Sequence, residues 1–415
     1  MYFMLMAESW LPLVNLQMKI KTRDMKSFLT LPVLFLALFA ISCQEKAARQ
    51  QIVVENTMDA HRAFETVSVN LTTIKNDGVS GAIIVKDAKT GEVMTSQEVD
   101  TDGDGTVDVL LFQPKIAANA TKTYEVHFGA AETGTKGDPS CYSRFVPERT
   151  DDYAWENNRV AFRTYGPTAQ KMVEDSVKGG TLSSGMDAWL KRVDYPIINK
   201  WYKKELETDG SYHKDDGEGL DNFHVGISRG VGGIAKKVDS IYHISKNFTS
   251  WKTLSTGPIR TSFILTYADW DAAGNMISEE KKISLDYGQN LSRFEITLKG
   301  TDTISAGLTL HEKDGDIGVN QDSGWVSYWE LHGDSELGTG IVVPNGNMLG
   351  YEHYLTERKD ESNLYAHIKT NDGKAVYYAG FGWKKSGQFS TKAQWEAYLD
   401  RFAQQLQNPL QVTIK

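Results

Sequence analysis

Apolar and polar positions begin to alternate near residue 51, and the alternation recurs along most of the chain. Gln51 to Val54, Ala63 to Val69 and Ala82 to Val85 read as strands bounded by Asn, Asp and Gly. Glu92 to Val99, Val107 to Phe112 and Thr123 to Phe128 continue the series. Turn signals at this spacing predict an antiparallel β unit over residues 51–130. Between about 131 and 235 the periodicity weakens among Asp, Gly, Trp and His clusters, which predicts long functional loops. Strands return from about 238 to 380, among them Ile259 to Tyr267, Ser292 to Leu298 and Ser305 to Leu310. Trp395, Leu399, Phe402 and Leu406 then recur at helical spacing, with Ser390 or Thr391 as N-cap and Pro409 as the stop. Leu410 to Ile414 reads as a closing strand. The pattern predicts a mainly β protein, a large antiparallel β-sandwich with few helices and long functional loops. Residues 131–415 form its main, catalytic region, in one compact unit with 51–130. The supersandwich of sugar-acting enzymes is the nearest analogy.

The first residues follow another rule. From Met25, Lys26 gives a positive start, an apolar run extends to Ala40, and small residues precede Cys43 before the chain turns polar. This is the pattern of a secretory signal, with residues 1–42 as the leader and 43–50 as a polar tether. Residues 1–24 lack it, so Met25 is an alternative start. Ser42-Cys43 resembles a bacterial lipobox in which Cys43 is lipidated; the competing reading is plain cleavage near Ser42. Either way the sequence predicts export, to the periplasm or as an outer-membrane lipoprotein, with membrane contact only through a lipid anchor at Cys43.

Composition narrows the chemistry. The 415 residues carry a formal charge of −9, which gives no electrostatic footprint for nucleic acid. Two cysteines cannot build a disulfide framework or a Cys-rich zinc site. Lipase, metalloprotease and nucleotide-binding motifs are absent.

Three clusters can carry chemistry. Ser211 to Gly226 holds His213, His224, Asp216 and Glu218 among glycines, which let the backbone bend until such side chains converge. Arg229 follows in Ser228-Arg229-Gly230, outside any dinucleotide-binding context. The bland alternative is a solvated acidic loop. In the second cluster, Arg149 to Gly166, alternation puts Arg159, Ala161, Arg163 and Tyr165 on one strand face and Val160 and Phe162 on the other. Arginine forks match carboxylates and tyrosine can transfer a proton. Trp155 offers a stacking platform for a sugar, with Asn158 beside it; an edge strand with solvated arginines is the alternative. Third, Asp100, Asp102, Asp104 and Asp108 match several positions of a calcium loop, but Leu111 replaces the bidentate Glu. A structural calcium or an ordinary acidic turn fits.

The leader, the Asp100–Asp108 turn, Trp155 to Gly166 and Asp216 to Asp221 together resemble a family of secreted bacterial proteins encoded among polysaccharide-degrading enzymes, one long described as a domain of unknown function. The resemblance covers most of the chain after the leader. One branch is an ulvan oligosaccharide dehydratase, which removes water from the terminal uronic acid to leave a 4,5-unsaturated uronate. The resemblance implies a hydro-lyase acting on an anionic oligosaccharide, without a redox cofactor. Such chemistry needs a base for the C5 proton, an acid for the 4-hydroxyl and a cation for the carboxylate. His213 or His224 is suited as the base, Tyr165 or the other histidine as the acid, and Arg163 or Arg229 as the cation. An acidic protein must then make its site locally basic. A glycoside hydrolase on the same scaffold, drawing its two carboxylates from Asp216, Glu218 and Asp221, a mutarotase-like epimerase, and a glycan-binding lipoprotein remain alternatives.

Overall fold

In the computed structural model, which describes residues 50–75, 81–129 and 139–415, the opening alternation becomes a sheet with one dry face. The leader and Cys43 lie outside the described residues. Strand Gln51–Glu55 buries Ile52 and Val54 and turns its other residues outward. It pairs antiparallel with Gln411–Ile414 on one side and Thr121–Gly129 on the other, and Ala82–Asp87 and Val93–Met94 complete five strands. A three-stranded sheet of Val67–Asn70, Val109–Phe112 and Ser96–Val99 packs Val67, Leu110 and Phe112 against Ile52, Val54 and Tyr124.

The main sandwich is built on a nine-stranded antiparallel sheet running from Phe248–Ser255 at one edge to Asp316–Asn320 at the other. Two five-stranded sheets cover it. One contains Ile241–His243, Val231–Val238, Thr303–Thr309, Asn363–Lys369 and Met348–Tyr354. The other contains Gly219–Leu220, Asp187–Lys191, Ala161–Thr164, Asp152–Glu156 and Tyr142–Val146. All three sheets contribute to one core, in which Trp155, Phe162, Phe263, Phe294, Ile304 and Tyr377 are buried together. The described residues belong to one compact unit, Ala48–Lys415.

The last of these sheets occupies part of the 131–235 segment read as loops, while 208–218 and 221–230 do form loops. Asp152–Glu156, Ala161–Thr164 and Asp187–Lys191 are buried on both faces, so they carry no alternation to read. Their charged residues also break any apolar run. Val160 and Phe162 face the main core, as expected, while Ala161 and Trp189 face a second core under helix α2 (Ile198–Glu207). The strand is central in its sheet, so its arginine is not at a solvated edge.

Helix α2 is fixed at its start by a buried carboxylate. Glu156 accepts from the backbone N–H groups of Ile197 and Ile198, each at 2.9 Å, and from Lys191 Nζ at 2.6 Å. This satisfies donors that a helix start leaves open and sets negative charge against the positive end of its dipole. Helix α1 (Pro167–Glu174) begins at a proline and, like α2, was not expected. Helix α3 (Lys392–Gln407) is the expected one, with Thr391 as its N-cap. Its Trp395, Leu399 and Phe402 pack with Trp325 and Trp329 of the nine-stranded sheet. No helix among the described residues is long and apolar enough to cross a membrane.

Candidate active site

Beside the second five-stranded sheet lies a cavity of about 590 Å³. Arg163, Tyr165, His213 and His224, chosen from two separate sequence clusters, all line it, together with Arg149 and Asp221. Strand Ala161–Thr164 carries Arg163, and Tyr165 follows it directly. The excursion between Asp187–Lys191 and Val231–Val238 carries the histidines.

Arg163 is fully committed. Its Nη2 donates to Asp187 at 2.5 Å and to Asp221 at 2.9 Å, and Asp152 lies 3.7 Å from Nη1. One guanidinium cannot neutralise three buried carboxylates. Burial, with the neighbouring Asp221, pushes Asp187 up to about 7, and burial pushes Asp152 up to about 6 despite Arg163 and Arg149. Near neutral pH the cluster therefore holds a proton. The expectation that Arg163 neutralises a substrate carboxylate is corrected: its donors are already engaged.

Tyr165 donates its hydroxyl to Asp187 at 3.3 Å. Burial, reinforced by Asp187, holds its ionisation well above the ordinary tyrosine value, so the hydroxyl keeps its proton. The Tyr212 hydroxyl bridges the two arginines, 3.2 Å from both Arg163 Nη1 and Arg149 Nε. Arg149 has no carboxylate within ion-pair distance among the described residues. It is therefore the cation of the cavity wall that no carboxylate holds. In the sequence it opens the Arg149 to Gly166 cluster, outside the alternation that marks Arg163 and Tyr165.

The histidines differ in their anchors. His213 Nδ1 lies 2.6 Å from the backbone oxygen of Asp221, whereas His224 Nε2 lies 3.0 Å from Asp360 Oδ2. Asp360 stands 136 positions from His224, so only the fold brings the two together. With Asp152, Asp221 and Asp360 on its walls against Arg149 and Arg163, the cavity is mixed in charge, not locally basic.

The remaining candidates lie elsewhere. Trp155 is fully buried, stacks on Phe162 and donates to Ser292 at 2.9 Å, so it is a core residue and no sugar platform. Arg229 is buried beneath a neighbouring cavity, its guanidinium held by Ser184 and the carbonyls of Ile227 and Ile234. Asn158 accepts from the Gly288 N–H, away from the cavity. Asp216 pairs with Lys204 at 2.7 Å, while Glu218 pairs with Lys200 and Tyr195, on the flank of α2. Asp100, Asp102 and Asp104 do converge. Asp108 turns away to Thr101, and the Asp100 carboxylate accepts from Gly103 and Gly105 N–H. Lys252 and Lys282 already take carbonyl oxygens of this turn.

Fold and cavity define a large antiparallel β-sandwich protein with a pocket of mixed apolar and charged lining. The chain belongs to the family described as Domain of unknown function (DUF4861), which it matches over residues 54–412. It is 56% identical over 383 residues to "Uncharacterized protein P7" of Formosa agariphila, covering 91% of this chain and 96% of the relative. Among solved structures it is similar to a protein in the glycosyl hydrolase family 38 from Enterococcus faecalis, with a TM-score of 0.50 at 11% identity. That match covers 88% of this chain and 47% of the other, so the chain spans about half its length. An alpha-mannosidase from Enterococcus faecalis V583 aligns at 10% identity with a TM-score of 0.41. At these identities the first likeness concerns the fold alone.

Proposed function

We propose that this protein is an exported hydro-lyase that removes water from the non-reducing-end uronic acid of ulvan-type oligosaccharides. The observation that carries the reading is one cavity lined by an oriented base, His213, a protonated acid, Tyr165, and an arginine without a carboxylate partner, Arg149. Arg149 binds the substrate carboxylate and opposes the charge that develops as the C5 proton leaves. His213 Nε2 takes that proton, the C5–H electrons form the C4=C5 bond, and the C4–O bond breaks. Tyr165 protonates the departing oxygen to give water and recovers a proton from Asp187, whose raised carboxyl is part-protonated near neutral pH. His224, oriented by Asp360, binds the sugar at the open side. No redox cofactor enters this reaction. Export rests on the charged, apolar and small-residue pattern of residues 25–43, with Cys43 as the lipid anchor.

Glycoside hydrolysis is the second reading. It is favoured by the carboxyl of Asp152, on the cavity wall and part-protonated near neutral pH. Incubation with saturated uronate-ended oligosaccharides separates the two. A rise in conjugated-uronate absorbance with loss of one water by mass spectrometry supports elimination. Shorter products without that absorbance overturn it in favour of hydrolysis, and unchanged masses leave a binder.

A further inference from the structure

Behind the cavity wall three side chains that the proposed chemistry does not use converge. His311 follows strand Thr303–Thr309, and Glu330 and His332 lie two residues apart on strand Trp325–His332, whose period of two points them to one face. Each offers a ligand atom, and these atoms all lie within 4.8 Å of one another. Glu330 and His332 are more than nine-tenths buried.

The buried polar atoms of this cluster are not all satisfied by one another. His311 Nε2 lies 3.0 Å from the backbone oxygen of His224, which can only accept, so the ring hydrogen is on Nε2. The lone pair of Nδ1 then faces Glu330 Oε1 at 2.6 Å. Two lone pairs at that distance repel unless a proton or a cation lies between them. A shared proton would satisfy this contact alone. Glu330 Oε2 and His332 Nε2 would remain buried without a hydrogen-bond partner, as would Oδ1 of Asn222, whose amide lies against Gly333. Each such orphan destabilises the folded chain unless a further group meets it.

We propose that His311, Glu330 and His332 bind a divalent transition-metal ion of the zinc class. Two imidazoles and one carboxylate form a donor set that suits zinc. The His224 carbonyl on the far nitrogen of His311 is the outer contact that fixes the tautomer of a metal-bound histidine. Phe223 packs edge-on to His311 at 4.5 Å and also touches His332, screening the cluster from the cavity. The ion thereby braces residues 222–224, all of which line the cavity. Its role is to position that wall, whichever reaction the cavity performs.

The test loads the purified full chain with zinc, removes excess by gel filtration, and measures bound metal and thermal unfolding. About one ion per chain and a raised Tm are expected for the wild type. His332→Ala and Glu330→Gln should weaken zinc affinity at least about tenfold, while an Asp102→Asn/Asp104→Asn double variant retains it. Trace metal in the wild type, or full retention in a His311→Ala/His332→Ala double variant, overturns the proposal. Should the variants misfold, cobalt(II) titration of the wild type decides. Visible ligand-field bands saturating at one equivalent support the site, and a featureless titration overturns it.

Discussion

The Nδ1 atom of His213 lies 2.6 Å from the backbone carbonyl oxygen of Asp221, and this contact selects the basic nitrogen. A carbonyl only accepts, so the hydrogen of the neutral ring is on Nδ1 and the lone pair is on Nε2. His213→Gln can keep a donor to that carbonyl but has no basic nitrogen. Its kcat for elimination should fall by about 10²–10⁴-fold with KM little changed. Steady-state kinetics on both His213→Gln and His213→Ala check this, and added imidazole should partly rescue only the alanine variant. Loss confined to KM would make His213 a binding residue.

Arg149 is expected to distinguish charged from neutral sugars. With Arg163 held by Asp187 and Asp221, Arg149 is the wall cation open to a carboxylate. Removing a charged hydrogen bond costs about 1.5–3 kcal/mol, so Arg149→Ala should weaken binding of a uronate-ended oligosaccharide by roughly 10–150-fold. Calorimetry should show a much smaller loss for the same oligosaccharide with its terminal carboxylate reduced to an alcohol. Equal losses for both ligands would remove Arg149 from carboxylate recognition.

These two residues mark how far the sequence could be read. The outer strands and α3 were legible because one face of each is dry and the other wet, as in Gln51–Glu55 or the Trp395, Leu399 and Phe402 stripe. The sheet that carries the site was not, because Asp152–Glu156 and Asp187–Lys191 are buried on both faces and satisfy their charges by pairing across strands. Dense local chemistry led to His213, His224, Arg163 and Tyr165, which the fold gathers at one cavity. The same signal failed for Asp216 and Glu218, whose charges serve α2, and it passed over Asp360 and the cluster of His311 with Glu330, whose members meet only in three dimensions.

The buried carboxyls around Arg163 should appear in the pH dependence of stability. Burial raises Asp152 from 3.8 to about 6, so the folded state holds its proton longer than the unfolded chain. That linkage stabilises fully below the unfolded value and is lost as pH rises through about 6. Between about pH 5 and about pH 8 the wild type should lose about 1 kcal/mol more stability than Asp152→Asn, which cannot titrate there. The difference should be larger if Asp187, raised partly by Asp152, relaxes with it. Denaturant unfolding of both proteins at the two pH values measures it. Parallel pH profiles would mean that Asp152 is ionised throughout.

Trp155 separates packing from recognition. Its ring lies between Phe162 and Phe263 in the main core, with centroids 5.2 Å from each, and Nε1 donates to Ser292. Cutting it to alanine leaves a cavity that neighbours in three sheets cannot close, a loss of about 3–5 kcal/mol. Trp155→Phe keeps an aromatic ring and gives up the hydrogen bond, so it should cost less and remain folded. On that variant the KM for oligosaccharide should be unchanged while Tm falls, because no part of the ring reaches the cavity. A raised KM at unchanged Tm would instead return Trp155 to the substrate, and would require the sheet edge to open around it.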